Sequence, residues 1–324
     1  MNIHPPFAYF LSIVILLFTA GSIKRSRIID FFGEKILDNT NEKFATILLV
    51  ILSYVLSPLF LSFVLITSID KWLLRFKDKS RAGILLLTSS ILGSIILPFG
   101  NMRNIYITIF YGKGNPGINL SEFVRIMFPL WILGLIILII YSYFSMGNEK
   151  IKEKKTKINW RWKELIYSGI LFIFIIVYFS GKMSLLGFLF ITGAFSFAFI
   201  GMETLKQTDW WVLIPAALAF VFYYLLKDLS FILNKWVGFI IGCIGSIFAS
   251  SNIMSYVLPF SGIQIKFLLY SISIGGIGGI FGTAESIYLW RKGRTELNWK
   301  FMLQIFGIYF LVVLIILVLG GFYE

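Results

Sequence analysis

The sequence predicts an all-α polytopic membrane protein of about eight transmembrane helices plus two re-entrant hairpins, in two inverted-topology repeats with broken helices. Three observations predict it. Of 324 residues, 58% are hydrophobic and only 14% charged, where soluble chains carry about a quarter charged residues, and the apolar residues gather into runs long enough to span a bilayer. The Lys and Arg residues between those runs are unevenly distributed only if two of the runs fail to cross. Finally, one stretch of sequence recurs.

In chain order, the first run, residues 6–22, has no basic segment before it and is followed at once by Lys24, Arg25 and Arg27. It reads as an uncleaved span with the amino terminus outside. The run 45–67 reads as a hairpin, with Ser57 and Pro58 as breakers at its tip. The segment 83–112 would be about 45 Å long as one helix, too long for a single span, and Pro98, Gly100 and Asn101 divide it. A plain span follows at 124–146, completing a first unit over 1–147. Residues 148–163 form a basic cytoplasmic linker. The second unit, 164–324, has two extra spans (164–180 and 183–203), a span at 209–225, a hairpin at 237–260 with breakers Ser250, Ser251 and Asn252, a broken helix at 267–290 and a last span at 300–321.

Charge decides between ten crossings and eight. If every segment crosses, the basic residues divide evenly; if 45–67 and 237–260 dip in and return, 22 fall on one side and six on the other, with Arg103 inside the membrane. The positive-inside rule selects the second arrangement and makes the basic loops of a plasma-membrane protein cytoplasmic. The net charge of +13 is therefore topology, and nucleic acid is not an expected partner. Trp160, Trp162, Trp210, Trp211 and Trp236 stand at segment ends as interfacial anchors to the lipid bilayer.

Residues 92–107 (LGSIILPFGNMRNIYI) align without a gap on 274–289 (IGGIGGIFGTAESIYL). Each stretch follows a hairpin, and an odd number of crossings per unit gives the two copies opposite orientation. Inverted repeats with broken helices are the pattern of secondary transporters. In the second copy Gly275, Gly276, Gly278, Gly279 and Gly282, with Thr283, take the place of the proline break. Freed backbone groups at mid-depth must face something polar, so a site is expected where the hairpin tips meet the breaks. Arg103 and Glu285 occupy equivalent positions in the alignment. A charge there costs about 3 kcal/mol or more when unpaired, which points to Arg103 as the neutraliser of an anionic substrate and to Glu285 as a proton or cation site.

Enzyme chemistry is disfavoured. The one cysteine, Cys243, lies in an apolar run and the one histidine is His4, so no thiolate zinc site, H-E-x-x-H pair, nucleophile elbow or Walker loop is present. No cofactor is expected beyond a coupling Na⁺ or H⁺.

The frame Gly93, Pro98, Gly100 and Asn104, together with TDWWVLIPAALAFVF (208–222), GTAESIYLWRKGRTELNWKFM (282–302) and NLSEFVRIMFP (119–129), resembles the ion transporter superfamily. That group holds arsenical pump membrane proteins, citrate and dicarboxylate carriers and one class of sodium/proton antiporters; the arsenical-pump branch is nearest. The resemblance implies a carrier that holds a small ion between two hairpin tips and two broken helices, with Ser57, Asn101, Asn104, Ser251, Asn252, Thr283 and Ser286 as site residues. It also implies spans ahead of the first unit that this sequence lacks, for which a homodimer would compensate. The expected function is secondary transport of a small anion or oxyanion coupled to H⁺ or Na⁺. A sodium/proton antiporter is the nearest alternative, and a transporter-like scaffold or an intramembrane lipid-modifying enzyme the alternatives from other classes.

Overall fold

In the computed structural model the described residues are 5–38, 40–110, 118–152, 158–199, 210, 213–226, 232–261, 264–278, 283 and 299–320. They are helical throughout, with no strand among them. Six helical stretches are long and apolar enough to cross a membrane: Phe7–Ser26, Lys79–Ile96, Leu120–Ser145, Trp162–Phe179, Lys235–Val257 and Lys300–Val318. Large apolar side chains such as Phe144, Phe190 and Phe248 lie on the outside, each more than three-quarters exposed. Such a surface is costly in water and neutral against lipid tails, so these helices fit a membrane protein.

The helices are α1 (Pro5–Ser26), α2 (Ile28–Leu37), α3 (Glu42–Leu73), α4 (Lys79–Gly93), α5 (Met102–Phe110), α6 (Leu120–Ser145), α7 (Trp162–Phe179), α8 (Leu185–Phe199), α9 (Leu213–Leu226), α10 (Lys235–Gly245), α11 (Ser251–Val257), α12 (Ile265–Gly275) and α13 (Trp299–Gly320). As a straight rod α3 would measure about 48 Å. Its ends nevertheless lie together. The backbone N–H of Lys77, four residues past the helix, donates to the Glu42 carboxylate, and four residues of chain reach at most about 14 Å. Residues 42–73 therefore fold back on themselves. Pro58, which cannot donate a helical hydrogen bond, lies within the segment.

The pair α10 and α11 does the same more sharply. A Cβ at Gly245 would meet Met254 Sδ at 2.6 Å and one at Gly242 would meet Leu258 Cδ1 at 3.1 Å, although along one rod these residues stand about 14 and 24 Å apart. The turn is a π-helical stretch, Ser246–Ser250, ending on Ser250 at φ 96° and ψ 135°.

The two folded-back segments open at opposite ends of the molecule. At one end Glu42 N–H donates to Glu149 O (2.8 Å), Lys152 N–H to Arg75 O (3.1 Å) and Arg161 N–H to Ser26 O (2.9 Å), while Arg81 Nη1 donates to Ser145 O (3.0 Å). Ser26, Glu42, Arg75, Arg81, Ser145, Glu149, Lys152 and Arg161 thus meet at one end of the molecule. Lys77, 2.6 Å from Glu149, has its pKa raised by that carboxylate. At the far end α10 and α12 start side by side, Trp236 packing on Phe267 with ring centroids 5.3 Å apart. Tyr270 fastens them to the first turns of α6 by donating to Ile126 O (2.9 Å).

Helix α6 ties α3 and α13 together. Tyr54 donates to Trp131 O and Tyr309 to Leu130 O, both at 2.6 Å, so that α3 and α13 are fixed to the same turn from two sides. Gly134 gives them room: a Cβ there would stand 2.6 Å from Tyr54 Oη. Buried phenols need such partners, and a carbonyl that receives a second donor supplies one without a polar side chain.

One element is absent from the apolar-run reading. Helix α2 carries Asp30, Glu34 and Asp38 on one face, four residues apart, and Gly33 seats the Trp72 indole. Asp30 accepts from Ser68 Oγ (2.6 Å) and pairs with Lys71 (2.5 Å). Arg75 Nη1 lies 2.6 Å from Glu34 and 2.7 Å from Asp38, and its Nε donates to Lys152 O. Helix α3 extends well beyond the expected 45–67, with Glu42 and Lys71 satisfied at the helix ends rather than left outside them.

Candidate functional site

Between α4 and α5 the chain leaves the helix. Ser94–Ile96 tightens to a 3₁₀ turn, Leu97 is extended (φ −112°, ψ 144°), and Gly100 N–H closes a turn on Leu97 O (3.1 Å). Gly100 is required, since a Cβ would overlap Ser94 O. Pro98 and Gly100 are buried and shape this turn.

The two asparagines of the break are engaged by the break itself. Asn101 Nδ2 donates to Ser94 O (3.3 Å) and Ser94 Oγ (3.1 Å), and Asn101 Oδ1 accepts from Asn104 N–H (2.9 Å). Asn104 Nδ2 donates to Ile95 O (3.2 Å) and Leu97 O (3.1 Å). These amides replace the hydrogen bonds that the interrupted helix cannot make. Asn104 Oδ1 is buried without a partner.

Arg103, on the first turn of α5 and only 2% exposed, crosses to the other half of the molecule. Its Nη1 donates to Ser251 Oγ (2.9 Å) and to Ile272 O (3.4 Å). Ile272 lies in the last turn of α12, so the guanidinium sits at the carbonyl end of a helix, where the helix dipole favours a cation. It fits there because residue 276 is glycine; a Cβ would collide with Nη1.

A small pocket opens beside this contact, with room for about one water-sized group, lined by Ser94, Asn101, Arg103, Ser251, Asn252 and Thr283 among others. Three interruptions of helix contribute: the break after α4, the tip before α11 and the bend at Thr283 after α12. Asn101 and Thr283 are equivalent in the gapless alignment, and so are Ser94 and Gly276. Ile91, Ser94 and Met102, which also line it, are missing from the sequence-based set, though the equivalence with Gly276 marks Ser94. Ser57 does not line the pocket; it is buried and its hydroxyl donates to Ser90 O. Ser250 is buried at the turn, where its Oγ accepts from Asn252 N–H (3.3 Å). Gly278 packs under Ile247 and Phe306. Gly279, Gly282, Glu285 and Ser286 lie outside the described residues.

Next to the pocket residues along α5, three tyrosines pack together. One turn along α5 from Arg103, Tyr106 meets Tyr256 and Tyr9 with ring centroids 4.8 and 5.3 Å apart, and the Tyr9 and Tyr256 hydroxyls are 3.0 Å from each other. Among the described residues no cluster of three or more His, Cys, Asp or Glu side chains could hold a metal ion. No protein-family model matches the chain, and no curated protein matches it.

Proposed function

We propose that the protein is a secondary transporter that moves a small anion or oxyanion across the plasma membrane, coupled to H⁺ or Na⁺. In this reading residues 42–73 and 235–257 are re-entrant hairpins, the amino terminus is outside and the linkers carrying Lys77, Lys150 and Arg161 are cytoplasmic. The two units then insert with opposite orientation. Hairpins opening at opposite ends, and Gly93 and Gly275 each lying against backbone of the preceding hairpin at Tyr54 and Cys243, support an inverted pair.

One observation carries the proposal: a buried guanidinium faces a pocket built from three helix interruptions contributed by both halves of the chain. Irregular backbone in a membrane is tolerated where it lines a cavity, and a buried cation beside it sets the sign of the ligand. The test is flux in proteoliposomes under imposed anion, proton and sodium gradients. Anion uptake that Arg103→Gln abolishes is the expected result; anion uptake unchanged in that variant, or exchange of Na⁺ for H⁺ with no anion moved, rejects it.

A further inference from the structure

We infer that the protein holds an anionic phospholipid in a cleft at the end remote from Glu149 and Arg161, with the headgroup phosphate on Arg125 and one acyl chain against Phe128. The inference needs only that the protein lies in a membrane and is independent of what it transports.

The cleft is open, has a volume of about 680 Å³ and lies between the first turns of α6 and the end of α7; Ser121, Val124, Arg125, Phe128, Pro129 and Ser180 are among its lining residues. Its level in the bilayer follows from the helices that form it. Ser145, at the other end of α6, accepts from Arg81, and α7 starts just past Arg161, which is bonded to Ser26. Arg125 precedes Ser145 by about 30 Å of helix. A hydrocarbon layer is about as thick, so the cleft opens at the opposite boundary.

Polarity changes with depth in the cleft. Asn119 caps α6, and Ser121 Oγ donates to it (2.7 Å). Phe128, half exposed, lies about 10 Å further in than Ser121. Arg125 stands between these levels, on a stem long enough to lift its guanidinium to the polar rim. It is exposed and makes no ion pair among the described residues. Glu122, three positions earlier, does not line the cleft.

A polar rim over an apolar floor fits an amphiphile. A void against the floor would forfeit dispersion contacts, and at this depth the bilayer supplies acyl chains to fill it. Free phosphate would leave the floor bare. A zwitterionic headgroup brings its own cation to the phosphate, whereas an anionic one leaves that charge to Arg125, whose planar fork can bond two phosphate oxygens.

The experiment is photo-crosslinking of the purified full-length protein in phosphatidylcholine nanodiscs. These carry a minor amount of phosphatidylglycerol or of phosphatidylcholine with a diazirine near the top of one acyl chain, and labelled peptides are located by mass spectrometry. The phosphatidylglycerol probe is expected to label residues 119–131 about fivefold more strongly than the phosphatidylcholine probe. Arg125→Gln, at an exposed position, should keep the wild-type Tm. It is expected to bring the two probes level at this segment while leaving labelling near Arg81 and Arg161 unchanged, which separates the cleft from general attraction to basic linkers. Phe128→Gln, which sets an amide where the chain would lie, is expected to lower labelling there by both probes. Equal labelling of the wild-type segment by the two probes, or a preference that survives Arg125→Gln, would overturn the headgroup assignment. Labelling unchanged in Phe128→Gln would overturn the place of the chain. Soluble glycerol phosphate displacing the probe as well as unlabelled phosphatidylglycerol does would make this a small-anion site and overturn the lipid.

Discussion

The two folded-back segments solve the same geometric problem with different chemistry. The first, residues 42–73, is fixed at its base: Arg75, only 3% exposed, joins Glu34, Asp38 and the Lys152 carbonyl, and Lys71 and Ser68 hold Asp30. Its Ser57 is consumed by the Ser90 carbonyl. The second, residues 235–257, has no such clamp among the described residues, and its irregularity is concentrated at the turn, in a π stretch and a serine at φ 96°. Polar contacts there run across to Arg103 of the other half. One hairpin is anchored and inert at its tip, while the other is strained at its tip and carries the pocket. Within the anion-carrier reading, this difference assigns the first hairpin to the frame and the second to the part that responds to the ligand.

The largest expected effect tests whether the two are equivalent in packing, beneath their different chemistry. A Cβ on Gly93 would overlap Tyr54 backbone, and one on Gly275 would overlap the Cys243 carbonyl. Backbone on both sides leaves little to yield, so Gly93→Val and Gly275→Val should each destabilise by about 3 kcal/mol or more. Chemical denaturation of the reconstituted protein measures this. Tolerance at one site alone would mean that only one hairpin is pressed against its broken helix.

The clamp comes next. Arg75→Met leaves Glu34 and Asp38 facing each other without their shared cation, and should cost about 3 kcal/mol, the lower end for breaking a buried pair, because Asp38 is partly solvated. Lys235→Gln, at the base of the second hairpin, should stay within about 0.5 kcal/mol, since the ammonium there only overlies the Phe267 ring at 5.5 Å. Equal losses in both variants would erase the asymmetry.

How much of this was legible in the sequence depends on which force fixed each element. The helical spans were, because transfer of apolar side chains acts on runs of residues and needs no knowledge of neighbours. The break at Pro98–Asn101 was legible for the same local reason, since proline and glycine act on their own backbone. Helix α2 was not: it contains Phe31, Phe32, Asp30, Glu34 and Lys35 in ten residues, and its structure comes from Trp72 and Arg75 some forty residues away. Within the site, Arg103 announced itself by its charge in an apolar run. The engagement of Asn101 and Asn104 by the break did not, because a residue's type leaves open whether its amide faces a ligand or its own turn. The shape of the second hairpin's tip was least legible, because a π turn inserts an extra residue without altering composition.

The smallest effect is also the sharpest, because its sign differs between the hairpins. Ser250 holds a backbone conformation that L side chains rarely adopt, at a cost of about 1–3 kcal/mol. Glycine there removes that cost, loses the weak 3.3 Å cap to Asn252 N–H, and gives up about 0.5–1 kcal/mol in unfolded-chain entropy. Ser250→Gly should therefore stabilise the protein by about 0.5–1 kcal/mol. Ser57→Gly relieves no strain, forfeits the hydrogen bond to Ser90 O and places glycine inside a helix, so it should destabilise by about 1.5–2 kcal/mol. Thermal melts of the two variants side by side read both signs. If Ser250→Gly also destabilises, the tip of the second hairpin stores no strain, and the distinction between a fixed hairpin and a responsive one loses its energetic basis. If it stabilises while slowing anion flux, the strain at Ser250 is part of what keeps that tip ready to open.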